Sequence, residues 1–311
     1  MRFVFMGTTD FGIPALKALV GNGHECAGIV STPARRKGRG LSLSESPMVM
    51  YAKENGLGPI LAPESLTSDS LAGELKRAAA DIFIVVAFRI LPQTIFAIPP
   101  LGTFNIHASL LPRYRGPAPI QRAIAAGENE TGVTIFRIDA GIDTGAIVLS
   151  KKTVIGPEET APQLSGRLSR LGAEALVEAL PMIASGEFVP AAQDGSLTCG
   201  APKLAKSEGK IDWQLPAQEI FNRIRAFKPF PGSYTFLDEM RISVEWAVPL
   251  PGHEGAAGAP GAVLAVAKDG FEVQCGRGVL HVTEVKPEGK RAMAAHDFAS
   301  GRRLAAGTRF A

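Results

Sequence analysis

Apolar residues recur along this chain in two rhythms, and the change between them divides it. Residues 2–6 form a short apolar run, broken by Gly7-Thr8-Thr9-Asp10-Phe11-Gly12, after which residues 14–20 carry apolar side chains at helical spacing. The pattern predicts a further strand over 26–31, helices over 47–55 and 70–80, and a strand over 82–88. That last run is β-branched and aromatic without alternation, so both its faces must be covered, as in the centre of a parallel sheet. A strand through Asn105 and His107 follows, then a helix over 119–126, strands over 132–138 and 146–154, and an Ala/Leu-rich helix over 164–184 that contains Pro181. Strands alternating with helices predict an α/β domain, Rossmann-like with a mostly parallel sheet, over residues 1–188.

From residue 186 the periodicity dissolves into Pro, Gly, Ser and Lys, which reads as a linker over 189–209. Beyond it comes one helix, 217–226, and then short strands at 233–237, 241–248, 262–267, 271–275 and 279–285. Asp269-Gly270 and Arg277-Gly278 are hairpin signals. The expectation is a small open β-barrel, OB-like, over 210–311.

Charge and cysteine content narrow the classes. The 311 residues hold 33 Lys+Arg against 30 Asp+Glu, net +3, so any nucleic-acid surface must be local. Arg35, Arg36, Lys37 and Arg39 crowd one Gly-interrupted stretch followed by serines, which reads as a mobile, exposed, phosphate-seeking loop. Lys290 and Arg291 add a smaller basic cluster near the end. Cys26, Cys199 and Cys275 include no close pair, which excludes a disulfide framework and a close-spaced zinc pattern. Nowhere do 18 apolar residues run together, and the start lacks a secretory pattern, so a soluble cytoplasmic protein without a metal is expected.

The candidate chemistry lies between Gly102 and Gly145. On an extended chain Asn105, His107 and Ser109 share one face while Phe104 and Ile106 point to a core. An amide and an imidazole aimed at one point can donate to an oxyanion, each donor being worth about 3 kcal/mol in a transition state. Asp143, in a Gly-rich loop, is a carboxylate available to orient the ring, with Asp139 as its competitor. Ser109 lies outside a Gly-x-Ser-x-Gly elbow, so direct attack by an amine on an acyl group is favoured over a serine nucleophile. The loop at residues 7–12 has neither G-x-G-x-x-G nor Gly-Lys-Ser/Thr spacing.

The stretch Asn105-Ile106-His107-Ala108-Ser109-Leu110-Leu111-Pro112, with Tyr114-Arg115-Gly116, Ala118-Pro119-Ile120 and Asp143-Thr144-Gly145, closely resembles the folate-dependent formyltransferases. Further similarity lies at Phe5-Met6-Gly7-Thr8, Gly38-Arg39-Gly40, Ile211-Asp212-Trp213, Ile224-Arg225-Ala226-Phe227 and Gly289-Lys290-Arg291-Ala292-Met293. The resemblance implies transfer of formyl from 10-formyltetrahydrofolate to the α-amine of methionyl initiator tRNA, for translation initiation, with a tRNA-binding barrel; a monomer is expected. It places Asn105, His107 and Asp143 in the catalytic positions and Ser109, Leu110, Leu111 and Pro112, with Phe88 and Arg89, on the folate. Arg39, with Arg35, Arg36 and Lys37, and Lys290 with Arg291, would face tRNA. Where the family usually reads Ala-Tyr-Gly-x-x-Leu-Pro, this chain reads Ala87-Phe88-Arg89-Ile90-Leu91-Pro92, one residue shorter and with Arg for Gly. The competing readings are a sugar-nucleotide N-formyltransferase, which shares the catalytic domain, and a noncatalytic RNA-binding protein, which leaves Asn105, His107 and Asp143 without a role.

Overall fold

The run without alternation forms a strand whose five side chains are all buried, in a computed structural model that describes residues 1–37, 42–187, 191–252 and 258–311. Two compact units divide the chain. The first holds Met1–Pro119, Glu130–Val154 and Ser165–Pro202; the second holds Ile120–Asn129, Ile155–Leu164 and Lys203–Ala311.

In chain order the elements are β1 (Arg2–Gly7), α1 (Ile13–Gly21), β2 (Glu25–Val30), β3 (Arg35–Lys37), β4 (Ser42–Ser44), α2 (Pro47–Glu54), β5 (Ile60–Leu61) and α3 (Asp69–Arg77). There follow β6 (Ile82–Val86), α4 (Gln93–Phe96), β7 (Thr103–His107), α5 (Pro119–Ala125), β8 (Glu130–Arg137), β9 (Ile147–Val154) and α6 (Ala161–Ser185). The main sheet runs β5-β2-β1-β6-β7-β8-β9. It is parallel from β5 to β7, and antiparallel where β8 and β9 are added.

Local chemistry sets these elements. Ser46 caps α2 by accepting from the Val49 N–H, with Pro47 at the first helical position. Ser68 caps α3 in the same way, and that helix begins with Asp69 and ends with Lys76 and Arg77, as its dipole favours. Val4, Met6, Val30, Phe83 and Val85 pack against Leu71, Leu75 and Ile95 on one side of the sheet. Phe3, Phe5 and Ile84 are equally buried on the alternate positions. With both faces apolar, polar chemistry is confined to the strand ends, and the carboxyl ends of β6 and β7 open into irregular loops.

Three expectations need correction. The strand expected over 82–88 stops at Val86, because Ala87 takes a left-handed φ of 48° that no strand continues. The described ends of the basic stretch, expected as a mobile loop, are two short strands, with Arg35–Lys37 paired antiparallel to Ser42–Ser44; charge runs hide strand pairing, because pairing uses backbone groups alone. Arg39, at the centre of that stretch, lies outside the described residues. Part of the stretch expected as a linker over 189–209 is built into the first unit. Ile147 and Ala191 exchange two backbone hydrogen bonds of 3.1 and 3.4 Å, and Arg115 pairs with Gly200 in a parallel bridge.

The second unit carries α7 (Ala217–Ala226), β10 (Tyr234–Leu237), β11 (Met240–Pro249), β12 (Val263–Ala267), β13 (Gly270–Gln274), β14 (Val279–Pro287), β15 (Met293–Ala294) and α8 (Ala295–Arg302). The antiparallel order is β10-β11-β14-β13-β12, with β15 on β14. Ile220, Phe221 and Ile224 of α7 and Phe298 of α8 cover Val244, Phe271, Val273 and Val282. β15 and α8 escaped the sequence pattern because the Ala-rich, basic tail has no apolar period.

Candidate active site

β7 delivers two polar side chains from the centre of an apolar sheet. Asn105 is half-buried between Val85 of β6 and Phe136 of β8, and its amide makes no hydrogen bond to any described residue. His107, two positions on, is buried, with its ring edge-on to Phe136 at 6.4 Å between centroids. Its Nε2 lies 2.9 Å from the Tyr114 carbonyl oxygen. A carbonyl only accepts, so Nε2 carries a proton and Nδ1 is the nitrogen left for proton exchange.

Nδ1 faces Asp143 Oδ2 at 3.7 Å, within ion-pair range and beyond hydrogen-bond length. The same oxygen accepts the Gly116 N–H at 2.8 Å. Two loops therefore orient one ring, the first through Tyr114 and Gly116, the second through Asp143. Both are unusual in backbone: Tyr114 and Asp143 have left-handed φ values of 59° and 53°, as does Ala87, just past the end of β6, at 48°. Such conformations cost about 1 kcal/mol or more and persist only where the surroundings impose them. Gly116, at φ 119°, has no alternative, since a Cβ there would sit 2.8 Å from the Ala201 carbonyl oxygen.

The other sequence-predicted residues divide. Ser109 is fully buried, and its hydroxyl donates to the Arg113 carbonyl at 2.7 Å instead of to His107, which removes the serine-nucleophile reading. Thr134 pins the same segment, donating to the Ser109 carbonyl at 2.7 Å and accepting from the Leu111 N–H at 3.2 Å. Leu111 is buried, while Leu110 and Pro112 are half-buried. Phe88 and Arg89 are also half-buried, and the Arg89 guanidinium lies 5.4 Å from the Phe88 ring centroid. Arg89 donates to the carbonyls of Glu64 and Pro63 at 3.0 and 2.8 Å, so both terminal nitrogens brace the chain. Burial, and then the nearby Arg35 charge, push its pKa down.

Asp139, the competing carboxylate, shapes a turn: one oxygen accepts from the Gly141 N–H at 2.9 Å and the Thr144 hydroxyl at 2.6 Å. Arg35 and Arg36 are exposed on β3, which pairs with β4, and Lys37 contributes its backbone to that pairing. Lys290 and Arg291 are exposed in the turn after β14. Sequence reasoning missed Gln193, whose side chain bonds to both orienting loops, and Cys199, whose sulfur accepts the Tyr114 N–H at 3.3 Å. Neither carries a sequence signal, since each acts on a partner far along the chain. Among the described residues no three His, Cys, Asp or Glu side chains gather to hold a metal, and no helix is long and apolar enough to cross a membrane.

Comparison with known proteins shows the family. Residues 1–180 match the family described as Formyl transferase, and residues 203–303 match Formyl transferase, C-terminal domain. The chain is 43% identical over 308 residues to a methionyl-tRNA formyltransferase of Citrifermentans bemidjiense, covering 99% of this chain and 95% of that one. It is 42% identical over 308 residues to one from Myxococcus xanthus, covering 99% and 97%. In fold it is similar to WlaRD, a sugar 3N-formyl transferase, with a TM-score of 0.69 at 18% identity, covering 94% of this chain and 99% of that one. The chain belongs to the formyl transferase family.

Proposed function

We propose that this protein transfers the formyl group of 10-formyltetrahydrofolate to the α-amino group of methionyl initiator tRNA, giving N-formylmethionyl-tRNA for translation initiation. The observation that carries the reading is near-full-length identity of 42–43%, across both domains, to proteins named methionyl-tRNA formyltransferase. The sugar-acceptor reading rests on likeness of fold alone, and a noncatalytic RNA-binding role leaves the left-handed Asp143 and the free Asn105 amide unexplained.

The residues suit a formyl donor. The Asn105 amide, unengaged and half-buried on a central strand, is a donor waiting for an acceptor. It hydrogen-bonds the formyl oxygen as negative charge builds there. The incoming amine, with a pKa near or below ~7.7 to 8.0, is substantially neutral and attacks directly. The new carbon–nitrogen bond forms, and the bond from the formyl carbon to the folate nitrogen breaks. His107 Nδ1 and the Asp143 carboxylate take the proton that the amine sheds and return it to the departing nitrogen. Asp143 Oδ2 is tied to Gly116, which leaves the other oxygen free to face the amine.

One chain supplies Asn105, His107 and Asp143, so a monomer suffices, and the folate and aminoacylated tRNA it uses are cytoplasmic substrates. Arg35 and Arg36 serve the tRNA backbone. The test is formyl transfer from labelled 10-formyltetrahydrofolate, with methionyl initiator tRNA in one reaction and an amino-sugar nucleotide in another. Label on methionine recovered from tRNA is expected; label on the sugar alone refutes the acceptor. The rate should also fall steeply with salt at subsaturating tRNA, by a slope that counts the phosphates contacted.

A further inference from the structure

We propose that Gln193 is a positioning residue that holds His107 and Asp143 in register for proton transfer; the inference rests on the formyl-transfer reading above. The ring is oriented by two loops that lack regular structure, 114–116 and 143–145, which the Gly116 N–H to Asp143 Oδ2 hydrogen bond joins within the site. Each loop contains a left-handed non-glycine residue, Tyr114 or Asp143, that would relax if released.

The Gln193 amide ties both together. Its Nε2 donates to the Asp143 carbonyl at 2.9 Å and to the Gly145 carbonyl at 2.8 Å. Its Oε1 accepts from Arg115 Nε at 3.0 Å and Nη2 at 2.6 Å. A primary amide offers two N–H donors and two lone pairs, and here all four are engaged. Glutamate at this position would keep Arg115 and lose both donations, while asparagine would be one methylene short. Gln193 itself stands on fixed backbone, between the Ile147–Ala191 pairing and the Arg115–Gly200 bridge. Arg115 lies between Tyr114, which accepts from the ring, and Gly116, which donates to the carboxylate. Both polar contacts of the His107 ring thus lie within two residues of a bond to Gln193.

Displacement of a reacting group by even 1 Å can cost about a hundredfold in rate. Loosening the 143–145 turn shifts Asp143 from Nδ1 without touching the segment expected to hold folate. Gln193→Ala is therefore expected to lower kcat at least about tenfold while the KM for 10-formyltetrahydrofolate stays within about twofold. Gln193→Glu should match it, because the two carbonyl donations are lost in both.

The deciding measurement is the same change in an Asp143→Ala background. There the carboxylate to be positioned is gone, so Gln193→Ala should cost less than about twofold. An equal fold-loss in both backgrounds would mean general damage to the fold and would overturn the proposal. So would Gln193→Glu with wild-type kcat, or a raised KM with kcat unchanged. If the wild-type chain makes no N-formylmethionyl-tRNA, the functional reading fails on its own, and the inference is read from the ring: the ¹⁵N shifts of labelled His107 should move in Gln193→Ala, and unmoved shifts overturn it.

Discussion

Asn105→Ala separates catalysis from stability more cleanly than any other change at this site. The side chain is half-buried, its amide bonds to no described residue, and the backbone bonds of β7 to β6 and β8 do not involve it. Phe104 and Ile106, which anchor the strand in the core, are untouched at 1% and 4% exposure. Stability should therefore change by no more than about 1 kcal/mol. The rate should respond very differently. A donor fixed on a central strand and directed at a developing oxyanion is worth about 3 kcal/mol, which corresponds to about a hundredfold in kcat. Because the interaction strengthens only as charge develops, kcat and kcat/KM should fall together. Asn105→Asp, which has nearly the same shape and replaces the donor by a negative charge, should be at least as slow. Initial rates at saturating folate and methionyl-tRNA, with a thermal melt of each variant, make the test. A loss of only twofold would remove Asn105 from the oxyanion site. A Tm that falls in step with kcat would make its role structural.

Other expectations follow from named contacts. Asp143→Asn keeps an oxygen for the Gly116 N–H, now at 2.8 Å, but loses the charge facing Nδ1; kcat should drop about a hundredfold or more with folate affinity retained, and unchanged turnover would dismiss the acid–base role. Burial pushes the Cys275 thiol up to about 12 and raises Cys26 as well, so a thiol reagent at neutral pH should leave Cys275 unmodified until denaturant is added. Modification of Cys275 in the folded chain would contradict its burial. Arg122 donates to both oxygens of Glu208, at 2.5 and 3.0 Å, and these bonds, ahead of the other causes, hold that carboxyl below the usual range. A depressed folded-state pKa stabilises above the ordinary glutamate value of ~4.3, and that gain is lost as pH falls through the lower folded value. Glu208→Gln should accordingly melt lower at neutral pH and converge with the parent in acid, whereas melting curves parallel across pH would refute the coupling.

What could be read from the sequence, and what could not, follows from the range of the forces. The β6 run announced itself because burial on both faces needs no phase, and Asn105 with His107 followed from the period of two along a strand. The choice between Asp139 and Asp143 was closed to such reasoning. Both lie in one Gly-rich loop, and only the fold shows Asp139 spending its oxygen on Gly141 and Thr144 while Asp143 is turned toward the ring. Arg89 occupies a motif position, yet its guanidinium reaches back 25 and 26 residues to two carbonyls, a pairing no local pattern encodes. Gln193 is the extreme case, with partners 50 and 78 residues away in a stretch whose composition reads as a linker.

This distribution has a physical consequence for how the site tolerates change. Asn105 and His107 are placed by sheet ladders and a buried core, so their positions are over-determined by many weak contacts. Asp143 and Tyr114 are placed by a few hydrogen bonds between loops, each worth about 1 kcal/mol net. A substitution in the core should cost stability first, spreading its effect over the whole sheet. One at Gln193 should cost turnover first, because its side chain ties together the loops that set the geometry between His107 and Asp143. On the proposed reading the motif residues supply the reactive groups, and Gln193, in a segment without a motif, sets how closely they meet.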